Sequence, residues 1–363
     1  MAVRFFTIIF FLSLHLIGHS QVVPEGKILS QSFLAASLRN NTGGEEATRN
    51  ISIYLPPGYD QGTERYPVIY FLHGVATDDK EMLMYIGLKD LMDKAITSGR
   101  LRPMLLVLPD SKNRYGGSFY TNSPVIGNWA DFIGKDVVTY VDKNFRTIAE
   151  RRSRGLCGHS MGGNGALKLA MLFADVFSTV YAMSPAVLDW GYDFTVTNKG
   201  FKNISEAKSE RDILKGYEMS GNFDPQGFFA GVFSAMGRAY SADEKAGFLQ
   251  AGLPVSYIKD SSVLNLEVIK KWEANFPTNM VNGHLPALKS LAALKIDWGR
   301  NEEFSHIPVT ALHFSKKLES LGVKHFAEEY IGDHTNMIGG YEGRFYTEVL
   351  PFFNSNLAAP KTK

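Results

Sequence analysis

The sequence GHSMG at residues 158–162 is the feature that most restricts how this chain folds. A short strand-like run, 155–158, leads into it, and a stretch with helical character, 162–173, follows it directly. A serine between glycines at a strand-to-helix junction indicates a tight, strained turn, because glycines let the two backbones approach closely. The pattern therefore predicts that Ser160 projects from the end of a sheet strand, as a nucleophile requires.

Apolar strand-like runs alternate with amphipathic helical stretches along most of the chain. The predicted strands are 51–55, 68–72, 104–108, 155–158, 179–183, 294–297 and 325–330, and the predicted helices are 83–97, 129–145, 162–173, 310–321 and 346–353. Such alternation is typical of a mostly parallel sheet with helices on both faces. Between 186 and 290 the pattern loosens, with short helical segments such as 263–276. We therefore predict one α/β domain over 21–363, with a helical cap insertion at 186–290.

The first 20 residues differ in character from the rest. Arg4 precedes an apolar stretch, 5–17, and small residues stand at 18 and 20. The alternative is a membrane anchor, but a stretch of about 13 residues is too short to cross the bilayer comfortably. We predict a cleaved signal peptide, 1–20, a mature chain beginning at Gln21, and a periplasmic or secreted protein without stable membrane insertion.

Overall composition argues against several other classes of protein. Hydrophobic residues make up 45% and charged residues 21% of the 363 residues, and the net charge is +1. Neither sign of charge dominates, so nothing favours nucleic acid as a partner. No His, Cys or acidic spacing typical of a metal site occurs, and no phosphate-binding glycine loop. We expect no metal and no cofactor.

A serine hydroxyl needs a base to become a nucleophile, and histidine is the usual one. Of the nine histidines, His334 follows the last predicted strand on a loop, whereas His313 and His325 lie within regular elements. The third member, an acid, should follow the strand at 294–297. From position alone the candidates are Asp297, Glu302 and Glu303, with Glu302 on the loop beyond Gly299.

An ester-cleaving serine also needs two backbone N–H donors for the oxyanion. We predict one at Met161, next to the serine, and the other at Gly74 or Val75, after the strand at 68–72. For substrate binding the predicted residues are His159, Ser118, Tyr120 and Trp129. The tract 116–122, which contains two of them, either lines the pocket or is an ordinary polar loop.

Several segments together resemble the esterase family related to esterase D, which includes feruloyl and acetyl-xylan esterases, S-formylglutathione hydrolases and mycolyltransferases. The matching segments are YLPPGY at 54–59, YPVIYFLHG at 66–74, 127–147, GLCGHSMGGNGAL at 155–167, DWGRNEEF at 297–304 and IGDHTNM at 331–337. The resemblance implies an α/β-hydrolase fold. It also implies a Ser160, His334 and Glu302 triad, with Glu302 in a position where the family has Asp.

These features predict a serine esterase that acts through an acyl-enzyme, on acylated carbohydrate or a similar natural-product ester. An acyltransferase of the same fold is the alternative, because a large apolar cap would exclude water. A non-catalytic binding protein is a third hypothesis, against which the retention of all three triad residues argues.

Overall fold

The computed structural model describes residues 25–218, 224–259 and 261–359, and within these ranges eight strands form one central sheet in the order β1-β2-β4-β3-β7-β8-β11-β12. The strands of the described chain are β1 Lys27–Leu34, β2 Thr48–Leu55, β3 Val68–Leu72, β4 Leu105–Pro109, β5 Asn122–Ser123, β6 Gly127–Asn128, β7 Arg154–His159, β8 Thr179–Met183, β9 Val255–Ile258, β10 Ser261–Leu264, β11 Ala293–Gly299 and β12 Phe326–Tyr330. Strands β1 and β2 run antiparallel to their neighbours, and the pairs from β4 to β12 are parallel. The predicted α/β-hydrolase architecture is confirmed. The predicted signal peptide, 1–20, lies outside the described residues.

Helices cover both faces of this sheet. They are α1 Asp79–Ile86, α2 Leu88–Thr97, α3 Trp129–Asp131, α4 Val138–Asn144, α5 Met161–Leu172, α6 Gly200–Glu206, α7 Glu210–Leu214, α8 Pro225–Tyr240, α9 Leu266–Glu273, α10 Pro277–Met280, α11 Leu285–Lys289, α12 His306–Ser320 and α13 Leu350–Asn356. The π-helical turns Phe132–Val137 and Phe345–Val349 lead into α4 and α13.

The sheet separates two hydrophobic clusters, as the alternation of side chains along a strand requires. On β3, Tyr70 and Leu72 belong to the cluster that α5 covers, while Ile69 and Phe71 belong to the cluster beneath α2 and α13. All five β3 residues are buried. This explains why the central strands are apolar throughout rather than alternating.

Two predicted elements differ in the structure. The helix predicted at 83–97 is two helices, because Gly87 adopts a left-handed conformation (φ 74°) that ends α1. The segment predicted as helix at 263–276 begins as strand β10, which pairs with β9, and becomes α9 only after Asn265, whose side chain accepts from the Val268 N–H. In both places a local capping residue outweighs the hydrophobic period.

The segment 186–290, described apart from 219–223 and 260, has two parts. Its middle part is built around α8, which packs against α6 and shares an aromatic cluster in which Phe201 stacks on Phe233 with ring centroids 4.1 Å apart. Its last part differs, because α10 and α11 pack on α5 and return the chain to β11. That last part belongs to the helical layer that covers the sheet.

No helix among the described residues is both long and apolar enough to span a membrane.

Candidate active site

Ser160 stands on the turn between β7 and α5 in a strained backbone conformation. Its φ is 59° and its ψ is −118°, a region that side-chain-bearing residues rarely adopt. The turn is held because the Ser160 N–H donates to the Met183 carbonyl at 3.0 Å. A Cβ at Gly158 would collide with the Gly162 backbone, and one at Gly162 with the Leu72 carbonyl. The glycines are therefore required by close backbone approach, as the motif predicts.

His334 lies on the loop after β12, and its imidazole is fixed by a carboxylate. His334 Nδ1 is 2.7 Å from Glu302 Oε2, and the Glu302 side chain is fully buried. Because an ionised carboxylate only accepts, Nδ1 carries the proton and Nε2 keeps its lone pair. The neighbouring Glu303 contacts the backbone instead, where its Oε2 accepts from the His334 N–H at 3.1 Å. Two consecutive carboxylates thus hold one histidine, one by its ring and one by its main chain.

Asp297, the other candidate acid, faces a different part of the molecule. It is fully buried, and it pairs with Arg344 (Nε to Oδ2, 2.5 Å) and accepts from the Tyr181 hydroxyl at 2.7 Å. Burial raises the pKa of Asp297 even though Arg344 opposes that change. This carboxylate therefore fastens the C-terminal segment to β11 and does not contact His334.

The His334 ring is packed between two other rings close to Ser160. The His159 ring lies 4.6 Å from it between centroids, and the Phe304 ring lies 5.0 Å from it, edge-on. His159 Nε2 is 2.8 Å from the His334 carbonyl oxygen, so His159 holds the histidine loop instead of facing a substrate. Burial, together with the neighbouring His334, lowers the pKa of His159. It is therefore neutral, with Nε2–H as the donor.

The Ser160 hydroxyl and the His334 imidazole, both described in the structure, form no hydrogen bond with each other. In substrate-free hydrolases this contact is often long, and it tightens when substrate binds. The structure thus places the predicted nucleophile Ser160, the predicted base His334 and the predicted acid Glu302 on loops at the carboxyl ends of β7, β12 and β11.

The turn after β3 supplies the second side of the site. A Cβ built on Gly74 would lie 3.5 Å from the Ser160 Cβ, which places this turn directly beside the serine. The N–H groups of Gly74 and Val75 donate to no other described residue. Met161 is the first residue of α5, so its N–H has no partner within the helix. All three predicted oxyanion donors therefore stand free near Ser160.

Two buried side chains fix the conformation of that turn. His73 Nε2 accepts from the Ser111 N–H at 2.8 Å, so Nδ1 bears the proton and donates to the Gly74 carbonyl. Burial lowers the pKa of His73, which favours this neutral form. The Tyr120 hydroxyl donates to the His73 carbonyl at 2.8 Å. Tyr120, predicted to bind substrate, is instead buried behind the turn and supports it.

Ser118 and Trp129, the other residues predicted to bind substrate, are also buried. Ser118 is fully buried, and its hydroxyl accepts from the Tyr120 N–H. Trp129 is buried in the core, where its indole N–H donates to the Ile126 carbonyl at 2.7 Å. Trp129 also lies beneath the Arg49 guanidinium, 5.1 Å from the ring centroid. Trp129 therefore has a packing role in the stretch that contains α3 and α4.

A narrow cavity of about 30 Å³ opens beside Ser160, and its wall is almost entirely apolar. Ser160 and His306 are its polar side chains, and the others are Val75, Phe119, Met161, Ala186, Val187, Phe228, Phe229, Val232 and Phe304. Phe228, Phe229 and Val232 belong to α8, so the middle part of the 186–290 segment forms one wall.

His306 is a residue of this site that the sequence did not single out. It begins α12, is 2% exposed, and its Nδ1 lies 2.9 Å from Asp193 Oδ1. No local pattern marks the pair, since the two residues are 113 positions apart. The sequence indicates the pair only by placing a histidine, His306, shortly after the loop of Glu302.

Comparison with known proteins agrees with this geometry. Residues 45–220 match the model of the family described as "Putative esterase". Just under half of the chain is therefore similar to that esterase family. The match includes β2 to β8, and with them the Gly74 turn and Ser160.

Curated relatives match parts of the chain. Esterase Rv1288 of Mycobacterium tuberculosis is 35% identical over 163 residues, which are 43% of this chain and 33% of that protein. The endo-1,4-beta-xylanase/feruloyl esterase of Xylanibacter ruminicola is 30% identical over 132 residues, 33% of this chain and 17% of that protein. The chain thus spans about a third or less of the length of these relatives.

Solved structures resemble the described fold over nearly its whole length. A ferulic acid esterase aligns with a TM-score of 0.60 at 20% identity, covering 92% of this chain and all of the other. An S-formylglutathione hydrolase from Agrobacterium tumefaciens aligns with a TM-score of 0.58 at 15% identity, covering 92% of this chain and 96% of the other. At such identities the likeness shows the fold.

Proposed function

We propose that this protein is an exported serine carboxylic-ester hydrolase with Ser160, His334 and Glu302 as its triad. The observation that carries the proposal is the buried 2.7 Å contact between His334 Nδ1 and Glu302, beside a serine held in a strained turn. A carboxylate in that position orients the imidazole and stabilises the imidazolium that forms when the serine loses its proton.

The proposed reaction proceeds through an acyl-enzyme. His334 Nε2 takes the proton of Ser160 as its Oγ attacks the ester carbonyl carbon, and the carbonyl oxygen becomes an oxyanion. The free N–H groups at Gly74 or Val75 and at Met161 stabilise that charge. His334 then gives its proton to the leaving alcohol, and a water molecule, activated by the same histidine, releases the acid and restores Ser160.

Substrate entry requires movement of side chains at the cavity wall. A volume of about 30 Å³ holds little more than a water molecule. Phe228 is half-buried and stacks on Phe304 with centroids 5.2 Å apart, so rotation of these rings would admit an acyl group. We therefore regard the middle part of the 186–290 segment as a cap whose side chains set the size of the bound group.

For the substrate we propose acylated carbohydrate or a related natural-product ester. Support comes from the names of the xylanase and feruloyl esterase relatives and from the signal-like sequence at 1–20. N-terminal sequencing of the protein from its native host tests export: a mature terminus at Gln21 outside the cytoplasm supports it, and an intact Met1 in the cytosol contradicts it.

The activity itself is tested with a panel of 4-nitrophenyl and methyl esters that carry acetyl, feruloyl and longer acyl groups. Ser160-dependent release of acid supports the hydrolase. Because the cavity wall is apolar, the assay is repeated with an acceptor alcohol. Faster release of nitrophenol together with a new ester product would instead identify an acyltransferase.

A further inference from the structure

A second histidine–carboxylate pair faces the same cavity as Ser160. Asp193, in the 186–290 segment, accepts from the His306 N–H at 2.7 Å, and its Oδ1 is 2.9 Å from His306 Nδ1. Its other oxygen accepts from the Ser305 N–H at 3.1 Å. Although burial opposes it, the hydrogen bonds from His306 hold the pKa of Asp193 below its usual value. Asp193 is therefore an ionised acceptor, and His306 Nδ1 carries the proton.

The other ring nitrogen of His306 has an unfilled hydrogen-bonding capacity. His306 Nε2 is buried and has no hydrogen-bond partner among the described residues. His306 lines the cavity that contains Ser160 and is surrounded there by the rings of Phe194, Phe229 and Phe304. A buried polar atom without a partner is unfavourable, and such atoms in folded proteins call for an explanation.

We propose that His306, oriented by Asp193, accepts a hydrogen bond from a hydroxyl group on the part of the ester that occupies this cavity. The rest of the bound group would be apolar, because the cavity offers it aromatic and aliphatic side chains. His306 is thus a specificity-determining residue that favours a hydroxylated group over the same group without the hydroxyl. The inference rests on the proposed esterase function, in which the cavity beside Ser160 holds part of the substrate.

Five matched substrates separate hydrogen bonding from size. They are the 4-nitrophenyl esters of 3-phenylpropanoate and of its ring-hydroxylated and ring-methoxylated derivatives, with the 3- and 4-positions both prepared. The hydroxyl donates a hydrogen bond, whereas the methoxy group is larger and cannot donate. We expect the kcat/KM of the better hydroxylated isomer to exceed that of the parent and of the methoxy ester by tenfold or more.

Two variants test the role of the pair. His306→Asn keeps an N–H close to the Nδ1 position for Asp193 but lacks Nε2, so the hydroxyl-to-parent ratio should fall at least tenfold. Asp193→Asn no longer fixes the tautomer, so the ratio should fall by a smaller factor. His313→Asn, an exposed histidine on the same helix, is the control and should keep the wild-type ratio.

An unchanged ratio in His306→Asn, or equal preference for the hydroxyl and methoxy esters in the wild type, would overturn the inference. Either result would leave the esterase proposal standing as long as turnover of the parent ester disappears in Ser160→Ala. Persistence of turnover in Ser160→Ala would instead remove the proposed function.

Discussion

The central sheet and the 186–290 segment contribute to the site in different ways. The sheet supplies groups at strand ends: Ser160 after β7, the Gly74 turn after β3, Glu302 after β11 and His334 after β12. The segment supplies walls, through the α8 side chains Phe228, Phe229 and Val232. We infer from this difference that the reaction depends on the strand ends, and that the choice of substrate depends on the segment together with His306 of α12. Changes at the strand ends should alter the rate on all esters alike, and changes in the segment or at His306 should alter which ester is preferred.

The largest effect expected from the sheet side is that of Glu302→Gln. Losing the triad acid typically lowers turnover about 10⁴-fold, because the imidazole is no longer held in the reactive tautomer. We expect a loss of that order in kcat on every ester tested, measured by initial rates on the folded protein.

The adjacent acids serve as matched controls. Glu303→Gln should have a far smaller effect, since a glutamine oxygen can still accept from the His334 N–H. Asp297→Asn should mainly lower the free energy of unfolding, by a few kcal/mol, because Arg344 loses its fully buried carboxylate and keeps the ion pair with the more exposed Glu328. A crippling loss of kcat in either control, with Glu302→Gln active, would show that the acid is misassigned.

A smaller loss of kcat, again similar for all esters, is expected from a change behind the turn that carries Gly74 and Val75. Tyr120→Phe removes the hydroxyl that holds the His73 carbonyl, so the Gly74 and Val75 N–H groups should lose their alignment. We expect kcat to fall about 30-fold on short and long esters alike, a fraction of what is lost when an oxyanion donor is removed outright. A change confined to one class of ester would mean that Tyr120 contacts substrate after all.

Sequence reasoning predicted the residues at the strand ends and an aromatic-rich cap at 186–290, but it did not predict the contact between Asp193 and His306. Ser160 and Gly74 lie within short motifs next to apolar runs, and His334 follows the last strand, so chain order and strand position were sufficient. Asp193 and His306 come together only when the segment folds onto α12, and no local period encodes that contact. Trp129 and Tyr120, which we predicted to bind substrate, are buried and donate hydrogen bonds to backbone carbonyls, a role that the sequence around them does not indicate.

Lys168 on α5 lies behind the site, and its effect on stability can be measured separately from activity. It is buried, its Nζ donates to Thr121 Oγ1 at 2.5 Å, and burial lowers its pKa from 10.5 to about 7. As pH falls from 10.5 to 7, the unfolded chain takes up a proton that the folded protein does not, so folding is progressively disfavoured.

The unfolded chain of the Lys168→Met variant cannot take up that proton. Its free energy of unfolding, measured with urea, should rise relative to wild type by about 2 kcal/mol between pH 9 and pH 7. A difference that does not vary with pH would show that Lys168 is charged in the folded protein.

The smallest of these effects is expected from a change in the 186–290 segment, and it should alter the preference between esters. Phe228→Ala removes a ring from the cavity wall, so the kcat/KM ratio of hexanoyl to acetyl ester should rise about tenfold, at the low end of the roughly 10–200-fold range for discrimination by a pocket methylene. Phe248→Ala, at a more exposed phenylalanine of the same segment, is the control. An equal change in kcat on both esters, without a change in the ratio, would break the distinction between the two parts.

The central claim, that Ser160 is the nucleophile, is tested most directly by locating the covalent intermediate. The protein is treated with a small nitrophenyl phosphonate, and the modified peptide is identified by mass spectrometry. The account predicts one phosphonyl group per chain, on Ser160, no adduct in Ser160→Ala, and a turnover in that variant lowered by about 10⁴-fold or more. An adduct on another residue, or near-normal turnover in Ser160→Ala, would contradict it.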